Sequence, residues 1–184
     1  PYFDRLGLGE FSEMHYEGEK FPKGYSIMDY RSYDFAKELP DCIVINSPYD
    51  EFNHVWSVDP FFYSKNMQRF TTKLIYIPWF VTDEIDPKNS EDGKAFYNMR
   101  YYATMPGVFY ADCTILQSEG MKEAYLAKIS DYLQERTSFN EEEKASILGS
   151  LRKKISGAGS FLLEEKKERV LEKIMACFLD LFSC

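Results

Sequence analysis

Four short apolar runs, each followed by a turn or by polar residues, divide this chain. They are residues 41–46, 72–77, 111–118 and, as the weakest, 154–157. The first is rich in β-branched side chains and lies between Pro40 and Ser47-Pro48, and the second ends at Pro78. Short apolar runs enclosed by turn residues are typical of strands buried on both faces of a sheet. The pattern therefore predicts four buried strands with loops at their carboxyl ends.

Between and after these runs, apolar residues return at the spacing of a helix. The helical stretches are 29–39, 91–110, 118–133 and 139–152. Pro106 predicts a break in the second stretch, and Ser118 and Asn140 precede the last two as N-cap residues. Strands that alternate with helices in this way favour parallel crossovers. The sequence thus predicts an α/β fold, a three-layer Rossmann-like parallel sheet flanked by helices.

The last part of the chain carries the widest apolar stripe. A helix is predicted over 160–182, with an apolar side formed by Val170, Leu171, Ile174, Met175, Phe178, Leu179 and Phe182. A stripe of this width must be buried against another apolar surface. That surface belongs to this domain, to a second copy of the chain or to a domain that is missing here. We therefore expect a lobe over residues 1–160 and an amphipathic C-terminal helix over residues 160–184.

The N-terminal part has a weaker pattern. Residues 1 to about 40 are rich in Gly, Tyr and Glu, and a glycine turn at 6–9 precedes one short alternating strand, predicted over 10–16. The chain opens at Pro1 with no initiator Met. We therefore expect it to be a piece of a longer parent.

Composition and charge exclude several classes of protein. The chain has 184 residues, the size of one domain, with 22 Lys and Arg against 30 Asp and Glu and a net charge of -8. Nucleic-acid partners are excluded because they need clustered positive charge. No apolar run is long enough to span a membrane. The four cysteines are widely separated, as in reduced proteins, so we expect a cytoplasmic location.

The aromatic content is high, with 14 Tyr, 15 Phe and 2 Trp. Such rings line concave surfaces that hold ligands, because they combine an apolar body with a polar tip. They also fill ordinary cores. Composition alone leaves both readings open.

The loop after the first predicted strand carries most of the candidate chemistry. In an open parallel sheet the ligand crevice lies beyond the carboxyl ends of the strands. Within residues 46–54 this loop offers Asn46, Tyr49, Asp50, Asn53 and His54. His54 is the candidate general base, since imidazole titrates near neutrality, and Asp50 is the candidate carboxylate that orients hydroxyls. The bland alternative for His54 is a structural histidine.

The loops after the next two strands add further candidates. Trp79 and Phe80 would supply a stacking wall for a ligand. Ser118 begins a helix and is either an anion contact or a plain cap. His15 and His54 are too far apart in sequence to count as a metal pair, and no phosphate-loop or dinucleotide motif occurs. No metal and no cofactor are therefore expected.

Several phrases, taken in order, carry a family resemblance. They are Pro1-Tyr2-Phe3-Asp4, Glu13-Met14-His15-Tyr16-Glu17-Gly18, Asn46-Ser47-Pro48-Tyr49-Asp50-Glu51-Phe52-Asn53, Asp59-Pro60-Phe61-Phe62-Tyr63-Ser64, Lys73-Leu74-Ile75-Tyr76-Ile77-Pro78, Met105-Pro106-Gly107, Ala111-Asp112, Gln117-Ser118-Glu119 and Lys153-Lys154-Ile155-Ser156-Gly157-Ala158-Gly159-Ser160. Over residues 1–160 the chain resembles the front half of bacterial CDP-glycerol glycerophosphotransferase-like proteins. The phrase that contains Tyr63 adds this residue to the candidate substrate contacts.

The resemblance implies the acceptor-side lobe of a two-lobed, B-type glycosyltransferase fold. Such proteins transfer glycerol phosphate from CDP-glycerol to a wall polymer, and the second lobe holds most of the donor. We expect that lobe to lie outside this chain. Trp79-Phe80 stand where related transferases place a Trp-His-Gly turn. We expect a polyol or sugar acceptor, no catalysis by this chain alone, and a parent protein at the inner face of the membrane.

Two other readings remain. The lobe is alternatively a non-catalytic sugar- or polyol-binding module that forms a homodimer through its last helix. A flavodoxin-like or response-regulator-like domain is disfavoured, because the sequence lacks the acidic strand ends and the hydroxyl-rich first loop that those domains use.

Overall fold

The computed structural model describes residues 2–6, 10–16, 18–54, 56–78 and 100–158. The strands in these residues are β1 (Tyr2–Leu6), β2 (Glu10–His15), β3 (Cys42–Ile45), β4 (Trp56–Val58), β5 (Lys73–Tyr76), β6 (Cys113–Leu116) and β7 (Ile155–Gly157). The α-helices are α1 (Phe35–Glu38), α2 (Ser64–Met67), α3 (Pro106–Tyr110), α4 (Glu119–Gln134) and α5 (Glu141–Lys154). Short 3-10 helices lie at Gly18–Lys20, Tyr30–Ser32, Pro60–Phe62 and Gln68–Phe70.

The predicted parallel sheet is confirmed. Its four strands lie in the order β3-β5-β6-β7, so each strand pairs with the one that precedes it in the sheet. All three pairings are parallel. Each predicted apolar run contains one of these strands. The two central strands, β5 and β6, are buried on both faces as predicted. The prediction of burial is wrong for β3, because it is an edge strand whose Val44 is 52% exposed.

The two long helices also form where the sequence predicts them. The Ser118 hydroxyl accepts a hydrogen bond from the Met121 amide at the start of α4, 3.0 Å away. Asn140 and Glu143 form a reciprocal capping box at the start of α5. Acidic residues fill the first turn of α5 and basic residues its last turn, which suits the helix dipole.

The helix predicted over 29–39 is wrong. The segment divides into the 3-10 turn Tyr30–Ser32 and the single turn of α1. Asp29 and Asp34 each cap their own turn, and Tyr33 between them is extended, so one continuous helix cannot form.

The stretch predicted over 91–110 breaks at Pro106, as expected. Residues 100–103 are helical, and α3 begins anew with Pro106 in its first turn. Residues 91–99 lie outside the described part of the chain. The same is true of the predicted C-terminal helix, so that element stays a prediction.

A second, antiparallel sheet is formed by the N-terminal part. Its order is β2-β1-β4, and β4 joins it from beyond β3. The sequence predicted β2 but not its partners. His15 of β2 contacts Asp4 of β1 across the sheet, with Nε2 2.8 Å from Oδ2.

Most of the core lies on one face of the parallel sheet. Leu74, Tyr76, Leu116 and Ile155 point to this face and pack against residues of α2, α3, α4 and α5. A smaller apolar cluster, Ile75, Ile77, Cys113, Ile115 and Ala158, occupies the opposite face. Among the described helices, none combines the length and the apolar character that crossing a membrane requires.

Candidate functional site

A cavity of about 310 Å³ lies at the carboxyl end of β3. Its apolar wall is formed by Val44, Ile45, Val58 and Phe62, and its polar wall by Asn46, Ser47 and Asp50. The Val58 amide donates to the Tyr49 carbonyl at 2.8 Å, which joins the loop after β3 to the antiparallel sheet. The cavity therefore lies where the two sheets meet, at the sheet edge expected for a ligand.

Asp50 is the buried carboxylate of this cavity, with 5% of its surface exposed. Oδ2 accepts from the Ser64 amide at 3.0 Å and from the Ser64 hydroxyl at 2.6 Å. Oδ1 accepts from the Glu51 amide at 2.7 Å. An ionised carboxylate has about four acceptor positions, so Asp50 can accept one more hydrogen bond from a ligand.

Burial raises the pKa of Asp50, and this effect outweighs the hydrogen bonds from Ser64 and Glu51 that lower it. In the part of the chain that is described, no cationic side chain forms an ion pair with Asp50, since Lys65 pairs with the neighbouring Glu51. The polar wall thus offers a carboxylate that a hydrogen-bond donor would stabilise.

Asp50→Asn gives a pH-dependent test of this burial. A raised pKa means that the folded chain binds the Asp50 proton more tightly than the unfolded chain does. The contribution of Asp50 to the unfolding free energy is then largest below its ordinary pKa of about 4 and declines as the pH rises through the raised value. We measure the unfolding free energy of the wild type and of Asp50→Asn by urea titration, and we expect the difference, wild type minus variant, to fall as the pH rises above about 4. A difference that is flat or that rises with pH contradicts this expectation.

Asn53 ties the same loop to the helical residues 100–103. Its side-chain oxygen accepts from the Trp56 amide at 2.9 Å, and its amide group donates to the Tyr101 hydroxyl. Burial raises the pKa of Tyr101 to about 12. The ring of Tyr49 meets Trp56 edge to face at 5.2 Å, and burial raises the pKa of its phenol as well. These contacts hold the loop in the shape that forms the cavity.

The structure brings some of the predicted site residues together and separates others. Asn46 and Asp50 line the cavity, and Tyr49 and Asn53 support its loop. His54 is exposed, and no hydrogen bond joins it to any described residue. Its role as a base stays a prediction.

Of the other predicted residues, Tyr63 and Ser118 are not part of the cavity wall. Tyr63 is buried with its hydroxyl 2.8 Å from that of Ser57. Ser118 caps α4, close to β7, and its anion contact stays a prediction. Trp79 and Phe80 lie outside the described residues. The described ranges contain no group of three or more His, Cys, Asp or Glu side chains arranged to hold a metal ion.

Sequence reasoning missed Ser47, Val58 and Phe62 on the cavity wall, and Ser64, which holds Asp50. Ser47 could have been predicted from the sequence, because it lies in the candidate loop 46–54. Ser64 is 14 positions from Asp50, and nothing local in the sequence links the two.

Tyr76, the last residue of β5, was also missed. It is 0% exposed, and its hydroxyl has no hydrogen-bond partner among the described residues. Its ring lies against Gly107, where an added Cβ would be 3.4 Å from the ring. Burial holds the pKa of this phenol well above its usual range, and the neighbouring Tyr125 and Asp50 add to the effect.

Tyr76→Phe is therefore expected to leave the unfolding free energy unchanged or to raise it by up to about 1 kcal/mol, because it removes a buried hydroxyl that makes no hydrogen bond. Thermal and urea unfolding of the two proteins measure the change. A loss of more than about 1 kcal/mol would show that the hydroxyl has a hydrogen-bond partner in solution.

Comparisons with models of known protein families, with curated proteins and with solved structures found no match to this chain.

Proposed function

We propose that this chain is a lobe that binds a small hydroxylated ligand, a polyol or a sugar, in the cavity beside Asp50. The observation that supports this proposal is a buried carboxylate, without a cationic partner among the described side chains, on the wall of a cavity of about 310 Å³. Small-molecule sites range from about 300 to 1,000 Å³. The cavity has the size for a compact ligand.

The chemistry of the walls favours a neutral donor of hydrogen bonds. A ligand hydroxyl would donate to Oδ1 of Asp50, while Val44, Val58 and Phe62 would cover the carbon skeleton. An anion would meet the Asp50 carboxylate and a chain whose net charge is -8. The cavity therefore suits an acceptor alcohol better than a nucleotide diphosphate.

The proposal extends to a parent protein with two lobes. There, this lobe would hold the polyol or sugar acceptor, and a second lobe would hold a donor such as CDP-glycerol, in line with the family resemblance of residues 1–160. His54 ends the loop that carries Asp50 and is the proposed base. In that parent, His54→Ala is expected to lower turnover by about 10² or more, and a near-normal rate would remove His54 from the mechanism.

Titration of the full chain with glycerol, ribitol, glucose, CDP-glycerol and CDP tests the binding function. The methyl groups of Val44, Ile45 and Val58 line the cavity and report on its occupant by NMR. We expect a polyol or sugar to shift these signals.

Two variants make this titration specific. We expect Asp50→Asn to weaken binding about tenfold, the worth of one hydrogen bond to a charged group. Glu51→Gln changes the neighbouring carboxylate, which does not line the cavity, and is expected to bind as the wild type does. If no polyol or sugar shifts the methyl signals of Val44, Ile45 and Val58, the proposal is overturned. Shifts caused only by CDP or CDP-glycerol would replace it with a donor-binding function.

A further inference from the structure

The order of the parallel strands places the described helices on one face of their sheet. Parallel crossovers are right-handed, so strands that add in sequence order, β3-β5-β6-β7, keep their connecting helices on the same side. The contacts agree, since α2, α3, α4 and α5 all contribute to the cluster around Leu74, Tyr76 and Leu116. None of the described helices lies on the opposite face.

The part of that opposite face that β5, β6 and β7 form is nevertheless buried, whereas Val44 of the edge strand β3 is 52% exposed. Ile75 and Ile115 at its centre are 0% and 1% exposed, and Ile77, Cys113 and Ala158 are 5%, 6% and 7% exposed. No residue of a described helix belongs to this cluster. Large apolar side chains on an open sheet face would stay in contact with water. The described helices therefore do not cover this face.

Two segments of the chain begin at this face. Residues 79–99 follow Ile77 and Pro78, and residues 159–184 follow Ala158. The first begins with the apolar residues 79–81 and ends in the predicted helical stretch from residue 91, but charged residues, Pro87 and Gly93 divide its apolar residues into short groups. The second carries the stripe from Val170 to Phe182 at helical spacing.

We propose that the apolar stripe of residues 170–182 docks on the face formed by Ile75, Ile77, Cys113, Ile115 and Ala158 of the same chain. A helix of this length is about 20 Å long. The face formed by β5, β6 and the end of β7 is about 10 Å across between the axes of its outer strands, at the usual strand spacing. One helix thus suffices to cover the face, and the chain is then a monomer with three layers rather than a homodimer joined by this helix.

Methyl NMR on the full chain tests this proposal. Labelled methyl groups of Ile75, Ile77 and Ile115 report on their neighbours through nuclear Overhauser contacts. We expect contacts to Ile174, Phe178 or their neighbours in the stripe, arising within one chain. A sample mixed from labelled and unlabelled chains separates contacts within a chain from contacts between chains.

Each other outcome overturns the proposal. Contacts that appear only between chains in the mixed sample would assign the stripe to a second copy. Contacts to residues 79–99 would assign the cover to that segment. Strong broadening of the Ile115 methyl signal by a soluble paramagnetic probe would show that the face is open to solvent.

A pair of variants tests the same docking by another measurement. Ile174→Asn places an amide within the stripe, and Lys173→Asn places the same side chain on the polar side of the same helical turn. We expect Ile174→Asn to shift the Ile75 and Ile115 methyl signals and to lower the midpoint of thermal unfolding, and Lys173→Asn to do neither. Equal effects of the two variants would contradict the docking.

Discussion

Gly157→Ala is expected to lower the unfolding free energy of the protein by about 3 kcal/mol or more. A Cβ at this position would lie 2.2 Å from the amide nitrogen of Glu119 and 2.2 Å from the carbonyl of Ser118. These are backbone atoms at the start of α4, so no side chain can rotate away to make room. Forcing extra atoms into a packed site costs about 1–3 kcal/mol where neighbours can adjust. Here the whole contact between β7 and α4 must open, and the Gly157 amide loses its 3.0 Å hydrogen bond to Glu119.

Gly149→Ala is the matched control. Gly149 lies within α5, and nothing lies within 4 Å of an added Cβ. Because Ala is the better helix former, this variant is expected to gain about 0.5–1 kcal/mol. Urea unfolding of both variants measures the two changes. A Gly157→Ala protein as stable as the wild type would contradict the close approach of β7 to α4.

Asp50→Ala is expected to lower the unfolding free energy by about 2 kcal/mol at neutral pH and to abolish ligand binding. The substitution removes the acceptor of the Ser64 amide and hydroxyl, both buried, at 3.0 Å and 2.6 Å. A buried donor without a partner costs about 1–3 kcal/mol. Part of this loss is offset, because the carboxylate no longer has to be buried.

A double-mutant cycle with Ser64→Ala separates these contributions. Ser64→Ala removes the hydroxyl alone and is expected to cost about 1 kcal/mol. If the two side chains act through their hydrogen bond, the double variant loses less than the two single variants together. Strict additivity would show that Asp50 stabilises the loop without Ser64.

The parallel sheet was predictable because burial on both faces leaves a continuous apolar run, and flanking prolines mark its ends. The capped starts of α4 and α5 were predictable for a similar reason, since Ser118 and Asn140 satisfy amides only a few residues away. The failure at 29–39 shows the limit of such signals, because Asp29 and Asp34 each started a separate turn. The spacing of apolar residues alone does not show whether one or both of these Asp residues will begin a helical turn.

The candidate site was predictable only in part. Its loop followed from the rule that ligands lie beyond the ends of parallel strands, which singled out Asn46 and Asp50. Val58 lines the cavity because it belongs to an antiparallel sheet, and the sequence pattern did not predict the central strand of that sheet, β1. Ser64 contacts Asp50 although the two residues are 14 positions apart in sequence. Such contacts depend on tertiary packing, which no local pattern records.

The strand order has a further consequence for how the chain assembles during synthesis. β2 and β4 add to the two sides of β1, and β5, β6 and β7 each add to the outer edge of the parallel strand made before it. None of the described strands has to enter between two that are already paired. A chain that leaves the ribosome from its N-terminus can therefore form both sheets in the order of translation. Each new strand then pairs with the exposed edge of a strand that has already been made.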